Sequence, residues 1–257
     1  MVFGMFGAIV GDVIGSHYEN FATKEPDFCL FPDGYRFTDD TVLTVAVADW
    51  ILNGGELVDR FHEYFHAYPT AVYGGAFSEW AASRRREPYN SWGNGSAMRV
   101  SPVGWSCDSL DAVLTTAEQT ALVTHNHPAG IRGAQATAAA VFLARTTRDK
   151  SQIKSYIEGQ FGYDLSRHLE AIRPDYSFQS SCQESVPESI IAFLESDNFE
   201  HAIRNAVSLG GDADTMACIA GAIAEAFYGD VPAPILEQAL SVVDDRLLHV
   251  VNEFRNR

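Results

Sequence analysis

A chain of 257 residues, 46% hydrophobic and 20% charged, has the composition of an ordinary folded protein of one large domain or two small ones. Its 18 basic and 34 acidic side chains give a net charge of −16, which repels a phosphate backbone and argues against stable nucleic-acid binding. Cys29, Cys107, Cys182 and Cys218 are far apart and form no CxxC pair, which argues against a zinc knuckle or a dithiol redox motif. A reducing, cytoplasmic setting is expected. The opening Met1-Val2-Phe3-Gly4-Met5-Phe6 has no basic flank and Asp12 soon interrupts it, making a poor secretory signal. No apolar run approaches the roughly 18 residues that span a bilayer, so no membrane role is expected.

Helical periodicity dominates the pattern. In chain order, helices are predicted over Thr41–Asn53, closed by Gly54-Gly55, then Glu56–Tyr68, stopped by Pro69, then Gly75–Arg86. Arg84-Arg85-Arg86 is the one basic run, and it suits a solvated helix end, where cations complement the dipole. Leu110–Val123, Pro128–Arg148, Ser151–Phe161 and Leu165–Ile172 follow, with Ser109 and Ser151 as caps. The last third offers Pro187–Glu195, Phe199–Leu209, Thr215–Tyr228 and Pro234–Asn256. β-Branched alternation is nearly absent, leaving at most a short strand at Asp33–Phe37. The small residues of Ala136–Ala140 and Ala217–Ala226 place those helices at the centre of a bundle. Gly162–Ser185 is the loosest stretch and reads as an internal connection; no repeat or linker divides the chain. The fold class predicted is all-α, one multi-helix domain over 1–257.

Two acidic runs carry the strongest chemical signal. Phe37-Thr38-Asp39-Asp40-Thr41 and Gly210-Gly211-Asp212-Ala213-Asp214-Thr215 each open a long apolar helix. A helix start favours an anion, but one Asp suffices for that. Carboxylates gathered without His or Cys suit a hard cation such as Mg²⁺, Mn²⁺ or Ca²⁺. The two runs are therefore read as halves of one site holding two cations, with two independent helix caps as the plainer alternative. Glu19, just past the glycine-punctuated segment Gly11–Gly15, is a weaker candidate beside a solvated surface Glu.

Ser91-Trp92-Gly93-Asn94-Gly95-Ser96 forms a glycine-rich loop whose backbone could approach an anion, with Ser96 as a donor and Trp92 as a stacking surface. An ordinary loop is the competing reading. His125 and His127 have no nearby Cys or third His, which disfavours a transition metal; ligand hydrogen bonding or helix capping fits better.

Taken in order, Gly11-Asp12, Gly15, Glu19, the Thr38–Thr41 run, Gly93–Arg99, Thr124-His125 and the Gly210–Thr215 run resemble the ADP-ribosylglycohydrolase family. The resemblance covers nearly the whole chain. It implies an all-helical fold of that type with two Mg²⁺ or Mn²⁺ ions held by Thr38, Asp39, Asp40, Asp212, Asp214 and Thr215. It implies catalytic roles for Glu19, Asp39, Asp40 and Asp214. Ligand contacts are implied for Glu19, Trp92, Gly93, Asn94, Gly95, Ser96 and His125. The implied substrate is an ADP-ribosylated protein, nucleic acid or small molecule, cleaved at the anomeric carbon. A two-metal phosphoesterase and a non-catalytic ADP-ribose-binding or structural relative are the alternatives.

Overall fold

With about 3.6 residues per turn, Gly7, Gly11 and Gly15 fall on one helix face and leave it without side chains. In the computed structural model, which describes residues 4–257, that segment is helix α1, Phe6–Tyr18. Met1, Val2 and Phe3, which open the stretch that makes a poor secretory signal, lie outside the described residues. In order there follow α2 (Asp39–Asn53), α3 (Leu57–Ala67), α4 (Gly75–Ala82), α5 (Gly95–Met98) and α6 (Ser101–Ser106). Next come α7 (Leu110–Leu122), α8 (Pro128–Thr147), α9 (Lys150–Phe161), α10 (Leu169–Ile172) and α11 (Cys182–Leu194). The chain ends with α12 (Phe199–Val207), α13 (Ala213–Tyr228), α14 (Ala233–Leu240) and α15 (Asp245–Arg255). The all-α expectation holds: among the described residues there is no strand, only an isolated bridge between Gly93 and Ser181, and Asp33–Phe37 is irregular.

α13 is the axis of the molecule, buried from Ala213 to Ala226. α1 lies antiparallel to it at glycine distance. A Cβ added at Gly7, Gly11 or Gly15 would stand under 3.0 Å from the backbone of Gly221, Ala217 or Ala213 respectively. Close approach brings the two backbones together over their whole length, and the ends are tied as well. Glu225 on α13 accepts the Gly7 N–H at 2.8 Å, placing a carboxylate at the positive end of α1. α8, α11 and α12 pack around the remaining faces of α13, and the alanines of α8 are buried with those of α13 in one apolar core. α2 packs beside α1 and is covered by α3, α6 and α15.

Several boundaries differ from the sequence expectation for identifiable reasons. The predicted C-terminal helix is two, because Asp244 caps α15 by accepting the Arg246 N–H at 2.8 Å and is held by the Tyr68 hydroxyl at 2.7 Å. Pro187 does not start α11 but sits inside it; the helix begins five residues earlier and tolerates one missing backbone donor. Only Leu169–Ile172 of the predicted Leu165–Ile172 helix is helical. Asp149, not Ser151, caps α9, whereas Ser109 caps α7 as expected. α4 stops at Ala82, and the basic run beyond it is exposed, Arg85 pairing with Glu79 and Arg86 with Asp59.

The α1–α13 contact yields a stability test. Gly11→Ala should gain about 1 kcal/mol of helix propensity. It should lose more than that through overpacking, which costs about 1–3 kcal/mol or more. A net fall in the urea midpoint is expected, while Gly159→Ala, where nothing among the described residues lies within 4 Å of the new methyl, should raise it or leave it unchanged.

Candidate active site

Because α1 and α13 run antiparallel, the end of α1 meets the start of α13. α2 begins at the same level, so three helix termini bring their carboxylates to one place. Thr38 caps α2 by accepting the Asp40 N–H at 3.2 Å, which frees both Asp39 and Asp40 from capping. Asp212 occupies the cap position of α13 but makes no capping bond; its Oδ2 accepts from Asn94 at 2.8 Å instead. Asp214 Oδ1 accepts the first-turn Thr215 N–H at 2.9 Å, but neither acidic pair supplies the side-chain bond of a cap residue. The two starts meet directly: Thr215 Oγ1 donates to Asp40 Oδ2 at 3.4 Å across 175 residues of sequence.

Two overlapping groups result. Asp12, Asp40 and Asp214 each offer an oxygen within 4.8 Å of the others, and so do Glu19, Asp212 and Asp214. Asp214 is shared. Asp40 Oδ1 is buried without a partner among the described residues, an arrangement that costs free energy unless a cation or proton satisfies it. The donor set, all oxygen with no sulfur or imidazole, fits a hard divalent cation. Asp39 stands at the cavity floor beside these groups but in neither of them.

The electrostatics express the crowding. Burial pushes every one of these carboxyls upward. Asp40 lies well above the usual range through burial and then the charges of Asp12 and Asp39. Asp214 does so through burial, Asp212 and Asp40, and Asp39 through burial, Asp12 and Asp212. Glu19 is raised by burial and by Asp212, with Arg36 opposing. Its position at the C-terminal cap of α1 is the end of a helix that disfavours an anion, so local structure gives no reason for a carboxylate there.

Asp12 is a site residue that the sequence reading did not assign. It is fully buried within α1, accepting from the backbone N–H of Thr38 at 2.9 Å and of Thr41 at 3.0 Å and from both threonine hydroxyls. Its signal was present: a lone carboxylate inside the apolar run Ala8–Ile14. Thr38, read as a metal ligand, directs its hydroxyl to Asp12 Oδ1 at 2.7 Å, with Asp40 Oδ2 at 3.5 Å.

The cluster forms the floor of a cavity of about 590 Å³, a size suited to a nucleotide-scale ligand. Glu19, Trp92, Gly93, Asn94, Gly95 and His125 line it with Asp39, Asp40, Asp212, Asp214 and Thr215. Trp92 is exposed at the rim, as is Phe178 from the loose Gly162–Ser185 connection, which thereby supplies a wall. The glycine loop is pinned from behind. Asn94 N–H donates to Ser180 O at 2.8 Å and Cys182 N–H to Trp92 O at 3.0 Å. Gly93 N–H is already given to Ser91 Oγ at 3.1 Å. Ser96 departs from its expected role. It is fully buried, donates to Gly130 O at 2.7 Å, and braces the loop instead of facing the cavity. The two histidines divide the alternatives left open for them: His127 caps α8 by accepting the Ala129 N–H, and His125 lines the cavity.

Residues 2–256 match the model of the ADP-ribosylglycohydrolase family. The chain is 28% identical over 311 residues to the ADP-ribosylhydrolase ARH3 of Gallus gallus, an alignment spanning 89% of this chain and 85% of that protein. It is 28% identical over 304 residues to ADP-ribosylhydrolase ARH3 of Homo sapiens, spanning 87% and 84%. A solved ADP-ribosylglycohydrolase-related protein complex shares the fold at a TM-score of 0.73 and 21% identity, over 98% of this chain and 96% of that one. The chain belongs to the ADP-ribosylglycohydrolase family, whose activity class is hydrolysis of ADP-ribosyl substrates.

The raised carboxyls predict a pH dependence that a cation should reverse. A carboxyl whose folded value lies above its unfolded one binds more protons in the native state, so its stability contribution is full below about pH 4. That contribution is lost as pH rises through the folded values. Chelator-treated protein should therefore melt at falling temperature from mildly acid to neutral pH. With Mg²⁺ or Mn²⁺ in excess the fall should flatten, because the ion binds the folded cluster. Superimposable melting curves in chelator and in either ion across that range would count against the site.

Proposed function

We propose that the chain hydrolyses the glycosidic bond at the anomeric carbon of the terminal ribose of an ADP-ribosylated substrate, releasing intact ADP-ribose. The observation that carries this reading is the pair of oxygen clusters sharing Asp214 at the floor of a nucleotide-sized cavity. The cofactors proposed are two Mg²⁺ or Mn²⁺ ions, bound by Asp40, Asp212, Asp214 and Thr215 with Asp39, Thr38 and, from the geometry, Asp12. When bound, two such ions would orient the ribose hydroxyls and polarise a water for attack.

The chain's own groups account for the rest. Cleavage of an anomeric bond builds oxocarbenium-like positive charge on the sugar. A fixed array of carboxylates beneath it offsets that charge without reorganising. Asn94 holds the Asp212 carboxylate in place, and Asp12 is held by four donors, so the array is rigid before substrate arrives. Glu19 stands at the edge of the cluster on the cavity wall, where it is placed to exchange a proton with the departing acceptor. Trp92 and the Gly93–Gly95 loop, with His125 behind it, would receive the remainder of the ADP-ribose.

The substrate classes are ADP-ribosylated proteins, nucleic-acid ends and small molecules. The acidic surface disfavours a long nucleic acid as a stable partner. Among the described residues no helix is long and apolar enough to cross a membrane.

Asp214→Asn should reduce turnover by at least about 10²-fold, the scale of losing one preorganised electrostatic group. Its circular dichroism should stay native. Mass spectrometry of products from a panel of arginine-linked, serine-linked, nucleic-acid and small-molecule conjugates should show intact ADP-ribose and an unmodified acceptor. AMP with a phosphoribosyl remnant on the acceptor would establish the phosphoesterase instead. Absence of any product at saturating Mg²⁺ and Mn²⁺ would establish a non-catalytic binding or structural relative.

A further inference from the structure

Arg99 takes no part in the chemistry above, yet it lines the cavity with no exposure to solvent. Its guanidinium lies 4.3 Å from the Phe61 ring centroid. Nη2 donates to Thr120 O at 3.0 Å and to Thr124 Oγ1 at 2.8 Å. Nε and Nη1 have no partner among the described residues. Burying a cation so incompletely satisfied is expensive, so the position asks for a reason beyond packing.

The hydrogen-bond arithmetic supplies one. A guanidinium only donates. Thr124 Oγ1 must therefore accept from Arg99, which leaves its single proton for another partner. Two acceptors are in reach, His125 Nδ1 at 2.7 Å and the Tyr89 phenol oxygen. The phenol also brings a proton of its own to donate. The charge of Arg99 decides between the two arrangements. It favours the imidazole tautomer that turns a lone pair, not an N–H, toward the cation. Burial and the same charge hold His125 well below its ordinary value, so the ring is neutral near neutral pH. A neutral imidazole accepting at Nδ1 carries its proton on Nε2.

Nε2 faces the glycine loop. A Cβ at Gly95 would come within 3.4 Å of it and one at Gly93 within 3.6 Å. The two glycines thus leave this nitrogen uncovered. We propose that Arg99 is a positioning residue which acts through Thr124 to fix His125 as its Nε2–H tautomer. The cavity is thereby given one permanent donor, across the Gly93–Gly95 loop, for an anionic diphosphate oxygen of the ligand. The relay is a property of the folded chain, whereas the identity of the ligand rests on the proposed ADP-ribose reaction.

Histidine-¹⁵N-labelled full-length protein tests the relay without any turnover. Long-range ¹H–¹⁵N correlations should show His125 as the Nε2–H tautomer between about pH 6 and 8. Thr124→Val should abolish that bias and Thr124→Ser restore it, while Tyr89→Phe should leave it intact. In calorimetric titration at saturating Mg²⁺, Thr124→Val should weaken ADP-ribose binding by about 10-fold, the scale of one hydrogen bond to a charged group. Thr124→Ser should recover the affinity. Should Thr124→Val fail to fold, Arg99→Met removes the donor that commits Thr124 and should likewise mix the tautomers. An Nδ1–H tautomer in the wild type would overturn the proposal. So would a tautomer unmoved by Thr124→Val and Arg99→Met, or an undiminished affinity in a folded variant with the wrong tautomer. Wild-type protein with the Nε2–H tautomer but no affinity for ADP-ribose would instead overturn the ligand assignment, the relay itself being upheld.

Discussion

The contact between α1 and α13 is the constraint on which the rest depends. Three glycines let two antiparallel backbones meet where side chains would hold them apart. The end of one helix is thereby fixed against the start of the other, and Asp12 and Glu19 are carried to Asp212 and Asp214. Glu225 anchors the far end of the same pair through the Gly7 N–H. Two carboxylates at opposite ends of one helix pair thus have opposite tasks. Glu225 completes a helix terminus, while Glu19 stands where a helix terminus offers it nothing.

Packing on this scale forces acidic groups into a space that burial alone makes hostile to charge. Protein interiors resist small displacements, so the carboxylates cannot separate to relieve their repulsion. Threonine hydroxyls and backbone N–H groups stabilise Asp12, and Asn94 stabilises Asp212, but Asp40 keeps an oxygen with no partner among the described residues. The arrangement is stored electrostatic strain, which a divalent cation or a developing positive sugar would relieve.

The cavity walls are built on a different basis. Around the rigid floor, the Gly93–Gly95 loop is held by backbone bonds to Ser180–Cys182 and by Ser96 from beneath. Phe178 and Trp92 are exposed rings on the two segments so joined. The Gly93–Ser181 bridge, the isolated bridge among the described residues, therefore couples the two segments of the cavity wall.

Helical periodicity, the small-residue runs and the paired acids at helix starts were legible in the sequence, because each is a local pattern with a local cause. So was the family, since its motifs occur in order along the chain. The break at Ser241–Asp244 was not, because the Tyr68 bond that holds Asp244 comes from a residue distant in sequence, just past the end of α3. Nor was the inward turn of Ser96, whose acceptor is the carbonyl of Gly130. Asp12 looked like an interruption in an apolar helix until α2 supplied its four donors. Sequence alone determined which residues carry charge and which faces are apolar. Only tertiary packing decided which carboxylates share an ion-sized space, because that depends on antiparallel register and on helix approach set by missing side chains.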